Sequence, residues 1–299
     1  MIIIQVAGGL GNQLQQYALY RKFLSLGAET RLDISWFTER AQKSKWTKRD
    51  LGFGFFDRLE YECCTASEKK KLVGSEGSGG KLRRAVLPFS VHVFQESEIY
   101  HPEILSFTKM YLSGYFACEK YYADILPELR EQMRFKPSPN PFNESIAEEM
   151  KNRVSAAIHI RRGDYLNPEN QALFGNICTD EYYQAAIDYI SQRWPGVHFY
   201  LFSDDPDYVR AAFRGEQYHY VDWNKGEDSI YDLYLMAQCQ HIICANSTFS
   251  FWGARLNKNE DKVMIRPARH KNSQVVDPSL LLPLWPGWTL VDHEGKVLR

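Results

Sequence analysis

The sequence predicts an α/β fold of two doubly wound parallel-sheet domains, on three observations. The chain opens strand, glycine turn, helix, strand; its second half alternates short apolar runs with amphipathic ones; and a proline cluster separates the two halves. The 299 residues suit two domains at roughly 100–200 residues each.

The elements follow in order. Ile2, Ile3, Ile4 and Val6 form a β-branched run that reads as a buried strand. It breaks at Ala7-Gly8-Gly9-Leu10-Gly11, and residues 13–26 then carry Leu14, Tyr17, Ala18, Phe23 and Leu24 at near-helical spacing. Residues 30–34 read as the next strand. From 40 to 80 the pattern degrades. Glu68-Lys69-Lys70-Lys71 and the Gly/Ser run 74–80 read as a flexible surface insertion at about 68–84. Residues 110–116 read as a strand and 121–133 as a helix. Pro137, Pro139 and Pro141 then interrupt both helix and sheet. The expected organisation is therefore a first domain at 1–136, a linker at 137–142 and a second domain at 143–299. In the second domain, helices at 146–153, 181–193, 207–213, 230–239 and from 249 alternate with strands at 155–160, 197–202, 218–221, 241–244 and 263–265. In such a series ligands sit at the carboxyl ends of the strands.

Composition narrows the function. Lys plus Arg is 36 and Asp plus Glu 37, a formal net charge of −1, so the basic surplus of a nucleic-acid-coating protein is missing. No apolar stretch approaches the ~18–20 residues of a membrane span. The N-terminus runs straight into a strand, and the six cysteines make no CxxC, so the expected location is cytoplasmic. Aromatic residues at 14% favour a protein that stacks on rings or sugars.

Four strand ends carry polar clusters. Gly8, Gly9 and Gly11 with Asn12 let backbone approach a ligand and present helix amides to an anion. A tight turn is the bland alternative. A dinucleotide fingerprint would use Gly9, Gly11 and Asp33, but Leu14 stands where its third glycine belongs. The strand at 155–160 ends in His159-Ile160-Arg161-Arg162-Gly163-Asp164. One guanidinium can pair with Asp164, leaving the other for a bidentate grip on phosphate. Asp205-Pro206-Asp207 reads as an N-cap followed by Pro at N1 rather than as a metal-binding DxD. Asn246, Ser247, Thr248, Phe249 and Ser250 offer hydroxyls and first-turn amides, a second anion cradle, with plain N-capping as the alternative. Together they describe a diphosphate site neutralised by arginine, without a metal, with Asp205 and His159 near a ribose or base.

These residues resemble the ordered motifs of bacterial α-1,2-fucosyltransferases of glycosyltransferase family 11. The similarity runs from Gly8-Gly9-Leu10-Gly11-Asn12-Gln13 through His159-Ile160-Arg161-Arg162-Gly163-Asp164-Tyr165 and Phe202-Ser203-Asp204-Asp205 to Asn246-Ser247-Thr248-Phe249-Ser250-Phe251-Trp252-Gly253-Ala254. Gln15 stands where the family usually has Phe or Met, Phe251 where Trp is common, and the 68–84 insertion is peculiar to this chain. The resemblance implies a GT-B-like enzyme, two Rossmann-like domains with the active site between them. It implies inverting, metal-independent transfer of L-fucose from GDP-β-L-fucose to the 2-hydroxyl of a terminal β-galactoside, with no cofactor. Arg161 would stabilise the departing diphosphate, and Arg162 would be held by Asp164 or a neighbouring carboxylate. Asn12 and the Gly8–Gly11 backbone would close on the phosphate. The base stays unassigned, with Asp164, His159 or a first-domain acid as candidates. The expected partners are the donor and a glycan met transiently at the inner membrane face. Three other readings remain: a fucosyltransferase of another linkage, an NAD-dependent oxidoreductase, and a nucleotide-sugar-binding protein without turnover.

Overall fold

The computed structural model describes residues 1–40, 49–74, 92–97 and 99–298. The chain forms two compact units, Met1–Arg134 and Phe135–Arg299.

In the first unit, β1 (Ile2–Gln5) is followed by α1 (Leu10–Ser25) and β2 (Thr30–Asp33). Next come α2 (Ala66–Val73), β3 (Val93–Gln95), β4 (Met110–Ser113) and α3 (Leu126–Gln132). The four strands pair in parallel in the order β2-β1-β4-β3. Ile2, Ile3 and Ile4 are fully buried, as expected for a central parallel strand covered on both faces. Two expectations change. The start of the 68–84 insertion is not loop but the helix α2. Thr65 and Glu68 form a reciprocal capping box, and Leu72 is buried beside Ile3 and Tyr111. The remainder of that insertion, from residue 75, lies outside the described residues. The helix expected over 121–133 is two 3-10 turns, Glu119–Tyr121 and Ala123–Ile125, then α3. Pro127 lacks an amide hydrogen and is tolerated only in a first turn, so the α-helix starts there.

The second unit runs α4 (Pro141–Lys151), β5 (Ser155–Ile160), α5 (Pro168–Phe174), α6 (Asp180–Ser191) and β6 (His198–Ser203). It continues with α7 (Pro206–Ala212), β7 (Tyr218–Val221), α8 (Ile230–Met236), β8 (His241–Ile243) and α9 (Thr248–Leu256). It ends with β9 (Met264–Pro267), α10 (Pro278–Leu281), β10 (Trp288–Val291) and β11 (Val297–Leu298). The sheet order is β11-β10-β9-β8-β5-β6-β7, parallel except for the β10–β11 hairpin. Counted from β5, the parallel strands stand 3-2-1-4-5-6, the Rossmann order, with the winding reversed between β5 and β8. The fold class is therefore α/β, with a Rossmann-like parallel sheet in each unit. The proline-rich stretch packs within the second unit. Pro137 O accepts from Tyr231 Oη (3.2 Å), Ser138 Oγ accepts from Asn143 Nδ2 (2.9 Å), and Asn140 caps α4 with Pro141 at N1. Among the described residues no helix is long and apolar enough to cross a membrane.

Candidate functional site

The second sheet is buried along β5, whose six residues are all buried, and the chain leaves its carboxyl end directly into Arg161 and Arg162. Both guanidiniums are partnered: Arg162 is held by a neighbouring carboxylate, one of the two alternatives expected, whereas Arg161, expected to be left for phosphate, is paired as well. Asp164 holds Arg161, not Arg162: Asp164 Oδ1 accepts from Arg161 Nη2 at 2.6 Å. Arg161 Nη1 also pairs with Asp204 Oδ2 at 2.7 Å. Arg162 Nε donates to Asp205 Oδ2 at 2.9 Å, and its guanidinium lies 3.7 Å over the Tyr208 ring. The reason is geometric. β5 and β6 are adjacent in register, Ile160 opposite Ser203, so Asp204 and Asp205 emerge beside the two arginines.

Asp204, named above only as part of the Phe202-Ser203-Asp204-Asp205 run and given no role there, organises the turn. Its Oδ1 accepts from the Arg162 amide (2.9 Å) and the Gly163 amide (3.0 Å), while Oδ2 takes Arg161. One carboxylate thus fixes both the backbone of the turn and the direction of Arg161. Gly163 follows from this: a Cβ there would stand 2.5 Å from Asp204 Oδ2. The only available sequence signal was Asp204 beside Asp205 at a strand end.

Asp205 is the N-cap of α7, with Oδ1 accepting from the Tyr208 amide at 3.1 Å and Pro206 next in the chain. The Arg162 hydrogen bond, aided by that amide, holds its carboxyl below the ordinary range. Its oxygens serve a cap and an arginine, not a metal-binding arrangement with Asp207.

His159 is 6% exposed on β5, and its Nδ1 has no protein partner among the described residues. Burial, then the charge of Arg161, pushes its pKa down to about 3. Both effects favour the neutral imidazole. A donor or acceptor role toward a ligand is still open to it.

The β8 end joins this cluster. Tyr165 Oη donates to Asn246 O at 3.1 Å, and the His159 and Phe249 rings lie 5.8 Å apart. Asn246 Nδ2 donates to Phe174 O (3.1 Å) and His270 O (3.2 Å), so its side chain ties loops together and does not cap. Ser247 occupies the N-cap position of α9 without a side-chain capping bond. The first amides of α9, from Thr248 to Ser250, precede its first intrahelical donor, the Phe251 amide that bonds Ser247 O (3.2 Å), and point out of the helix N-terminus. His159, Arg161, Arg162, Asp164, Asp205 and Asn246–Ser250 are therefore brought together at the point where the winding of the second sheet reverses.

Gly8, Gly9, Gly11 and Asn12 belong to the first unit. Gly8 has φ +84°, a conformation that favours glycine, and Gly9 is the N-cap position of α1. Gln13 anchors the turn, donating to Gly8 O (3.0 Å) and Asp50 O (3.0 Å) and accepting from the Gly52 amide (2.8 Å). Asp33, the acid that a dinucleotide ribose would need, is 3% exposed. It accepts from Tyr111 Oη (2.7 Å) and the Ser35 amide (3.0 Å) and pairs with Lys69 (2.9 Å). Burial alone would raise its pKa; the bonds from Tyr111 and Lys69 outweigh that and lower it. A carboxylate pinned in this way is a core ion pair, which counts against the oxidoreductase reading.

The model of glycosyl transferase family 11 matches residues 97–289. The O-antigen biosynthesis glycosyltransferase WbnK of Escherichia coli is 28% identical, over 88% of this chain and 93% of its own. An α-1,2-colitosyltransferase of Escherichia coli is 28% identical, over 89% of this chain and 91% of its own. Among solved structures, the fucosyltransferase NodZ from Bradyrhizobium superposes with a TM-score of 0.47 at 14% identity, covering 85% of this chain and 91% of that one.

Proposed function

The chain belongs to glycosyl transferase family 11, and from that premise we propose that it transfers L-fucose from GDP-β-L-fucose to the 2-hydroxyl of a terminal β-galactoside, with inversion. The observation that carries this reading is the Arg161–Asp164–Asp204 turn at the carboxyl end of β5. In the reaction the bond between the fucosyl anomeric carbon and the diphosphate breaks, and a bond to the acceptor oxygen forms. Charge grows on the departing diphosphate, and an arginine already oriented by two carboxylates stabilises it without reorganising. The hydroxyls and first amides at 247–250 supply further donors for the same anion. Asp205 and His159 face the nucleoside. In the first unit, the Gly8, Gly9 and Gly11 backbone and Asn12 leave a turn that a ligand can approach closely. The acceptor proton passes either to a side chain, with Asp164, His159 and an acidic residue of the first unit as the candidates, or to an oxygen of the departing phosphate.

The arginine pairing and the capping role of Asp205 support a reaction independent of metal. The O-antigen role named for one relative supports a growing glycan as acceptor, met by a cytoplasmic enzyme at the inner membrane face. The second relative, named for colitose transfer in the same α-1,2 linkage, favours a second reading in which the donor sugar is colitose. Incubation with GDP-fucose or GDP-colitose and a panel of β-galactosides, in EDTA, with the linkage assigned by NMR, tests all of these. The expected product is α-fucosyl at O2 of galactose, at a rate unaffected by EDTA. Transfer of colitose alone would change the donor, a product at another hydroxyl would change the linkage, and a collapse restored by Mn²⁺ would overturn metal independence.

A further inference from the structure

The first sheet has its own reversal of winding. The chain passes from β1 through α1 to β2 on one side, while β4 lies on the other side of β1. Ligands of open parallel sheets bind in the crevice outside the carboxyl ends at such a point. Three residues meet there. A Cβ on Gly8 would stand 2.9 Å from Asn12 Nδ2 and 3.4 Å from Tyr115 Cε1, so the glycine turn, the Asn12 amide and the Tyr115 ring are neighbours.

Tyr115 is 52% exposed, yet its backbone is fixed. Glu96 Oε2 accepts from the amides of Tyr115 (2.7 Å) and Phe116 (2.9 Å). Gln16 Nε2 donates to Gly114 O (2.8 Å), while its Oε1 accepts from the Ala7 amide (3.0 Å), which ties the β4 end to the β1 end. Phe116 is fully buried at φ +50°, and its side chain anchors the turn from below. A lone exposed aromatic is ordinary. One mounted on a pinned turn, at the switch point of a sheet and beside an amide and a glycine, has already met the ordering cost of a binding surface.

We infer that Tyr115 is the platform on which the acceptor galactosyl ring stacks, an inference that rests on the transfer proposed above. The axial O4 of a β-galactoside leaves H3, H4 and H5 on one face as a small apolar patch, and a tyrosine ring offers a matching flat surface with a polar tip. Stacking that face keeps the equatorial 2-hydroxyl at the ring edge, free to react. It also lays the ring beside the glycine turn and Asn12, whose backbone and amide can meet the sugar hydroxyls.

The test compares wild type with Tyr115→Phe and Tyr115→Ala, reading KM for methyl β-galactoside, KM for GDP-fucose, and saturation-transfer NMR from protein to the galactoside. Tyr115→Ala should raise acceptor KM about three- to tenfold, the range for losing an aromatic stack. It should leave donor KM unchanged and lose the saturation of H3, H4 and H5. Tyr115→Phe, which keeps the ring, should behave as wild type. Protection by GDP against thermal unfolding reports that each variant is folded. Unchanged acceptor KM and saturation in Tyr115→Ala, or a donor KM that rises in step, would overturn the platform. If wild type transfers fucose to no galactoside, the proposed reaction fails by itself. The saturation measurement then still decides whether a galactoside lies on Tyr115.

Discussion

The two units present the same architectural feature with opposite chemistry. Each has a parallel sheet whose winding reverses at a central strand, and each places its candidate residues outside the carboxyl end of that strand. In the first unit the crevice is framed by glycine backbone, the Asn12 amide and the Tyr115 ring. In the second it is framed by two arginines threaded among Asp164, Asp204 and Asp205. The first set suits a neutral, hydroxyl-rich ring, and the second suits a diphosphate. The fold supplies the location, and the side chains that follow each strand decide what can bind there.

The sharpest way to break that contrast is to remove charge from the second crevice. Arg161→Ala should lower turnover by about 10²–10³, roughly 2.7–4 kcal/mol, by analogy with loss of a preorganised oxyanion donor. The drop should fall on kcat at least as much as on donor KM, and Arg162→Lys should cost less. Near wild-type kcat in Arg161→Ala would contradict its role. Asp204→Ala should cost about 10–100-fold in the same assay, because the turn loses the acceptor of two amides and Arg161 loses a partner, a loss of roughly 1.5–3 kcal/mol for hydrogen bonds to a charged group. A variant with normal donor KM and normal kcat would show that the clamp is dispensable.

In the first unit the comparison concerns stability. Gln15 is fully buried on α1, and neither its Nε2 nor its Oε1 has a hydrogen-bond partner among the described residues. Relieving an unsatisfied buried amide is worth about 1–3 kcal/mol, and methionine has nearly its volume. Gln15→Met should therefore raise the urea midpoint without a change in donor KM. A lower midpoint would mean that the amide is satisfied in solution.

Acid should act on the second unit. Its buried His159 is pushed down to about 3 by burial and by Arg161, and His241 and His270 to about 4, mainly by burial. In the unfolded chain each titrates near 6.5. Between these values the unfolded state binds more protons, so stability falls as pH drops below about 6.5, by up to roughly 1.4 kcal/mol per pH unit per histidine. Urea midpoints at pH 7.5 and 5.5 should show the decline, and His159→Asn should make it shallower. Equal slopes would exclude His159 as a contributor.

Much of the second unit could be read from sequence because its strands are short apolar runs bounded by turn residues. The expected strands 155–160 and 218–221 match β5 and β7 residue for residue. What escaped were elements held by context. β3 is three residues long with Val93 exposed, and α2 depends on a capping box and one buried leucine within a lysine-rich run. The hairpin of β10 and β11 is only four and two residues long. The candidate site divides in the same way. The residue types at 159–164 and 246–250 were legible as anion-binding chemistry, because arginines at a strand end need partners. Which carboxylate serves which arginine was not, because Asp204 reaches Arg161 only through the adjacency of β5 and β6. Tyr115 carries no motif at all. Its position matters because β4, rather than β2, flanks the glycine turn on the side where the winding reverses.

The division of labour between the two crevices is tested most directly by thermal unfolding of wild type, Arg161→Ala and Tyr115→Ala with GDP or UDP at matched concentration. A ligand that binds only the native state raises stability by RT ln(1 + [L]/Kd). GDP should protect wild type and Tyr115→Ala equally and more than UDP does, and should protect Arg161→Ala little. Full GDP protection of Arg161→Ala, or its loss in Tyr115→Ala, would contradict a diphosphate held by the second unit and a sugar held by the first.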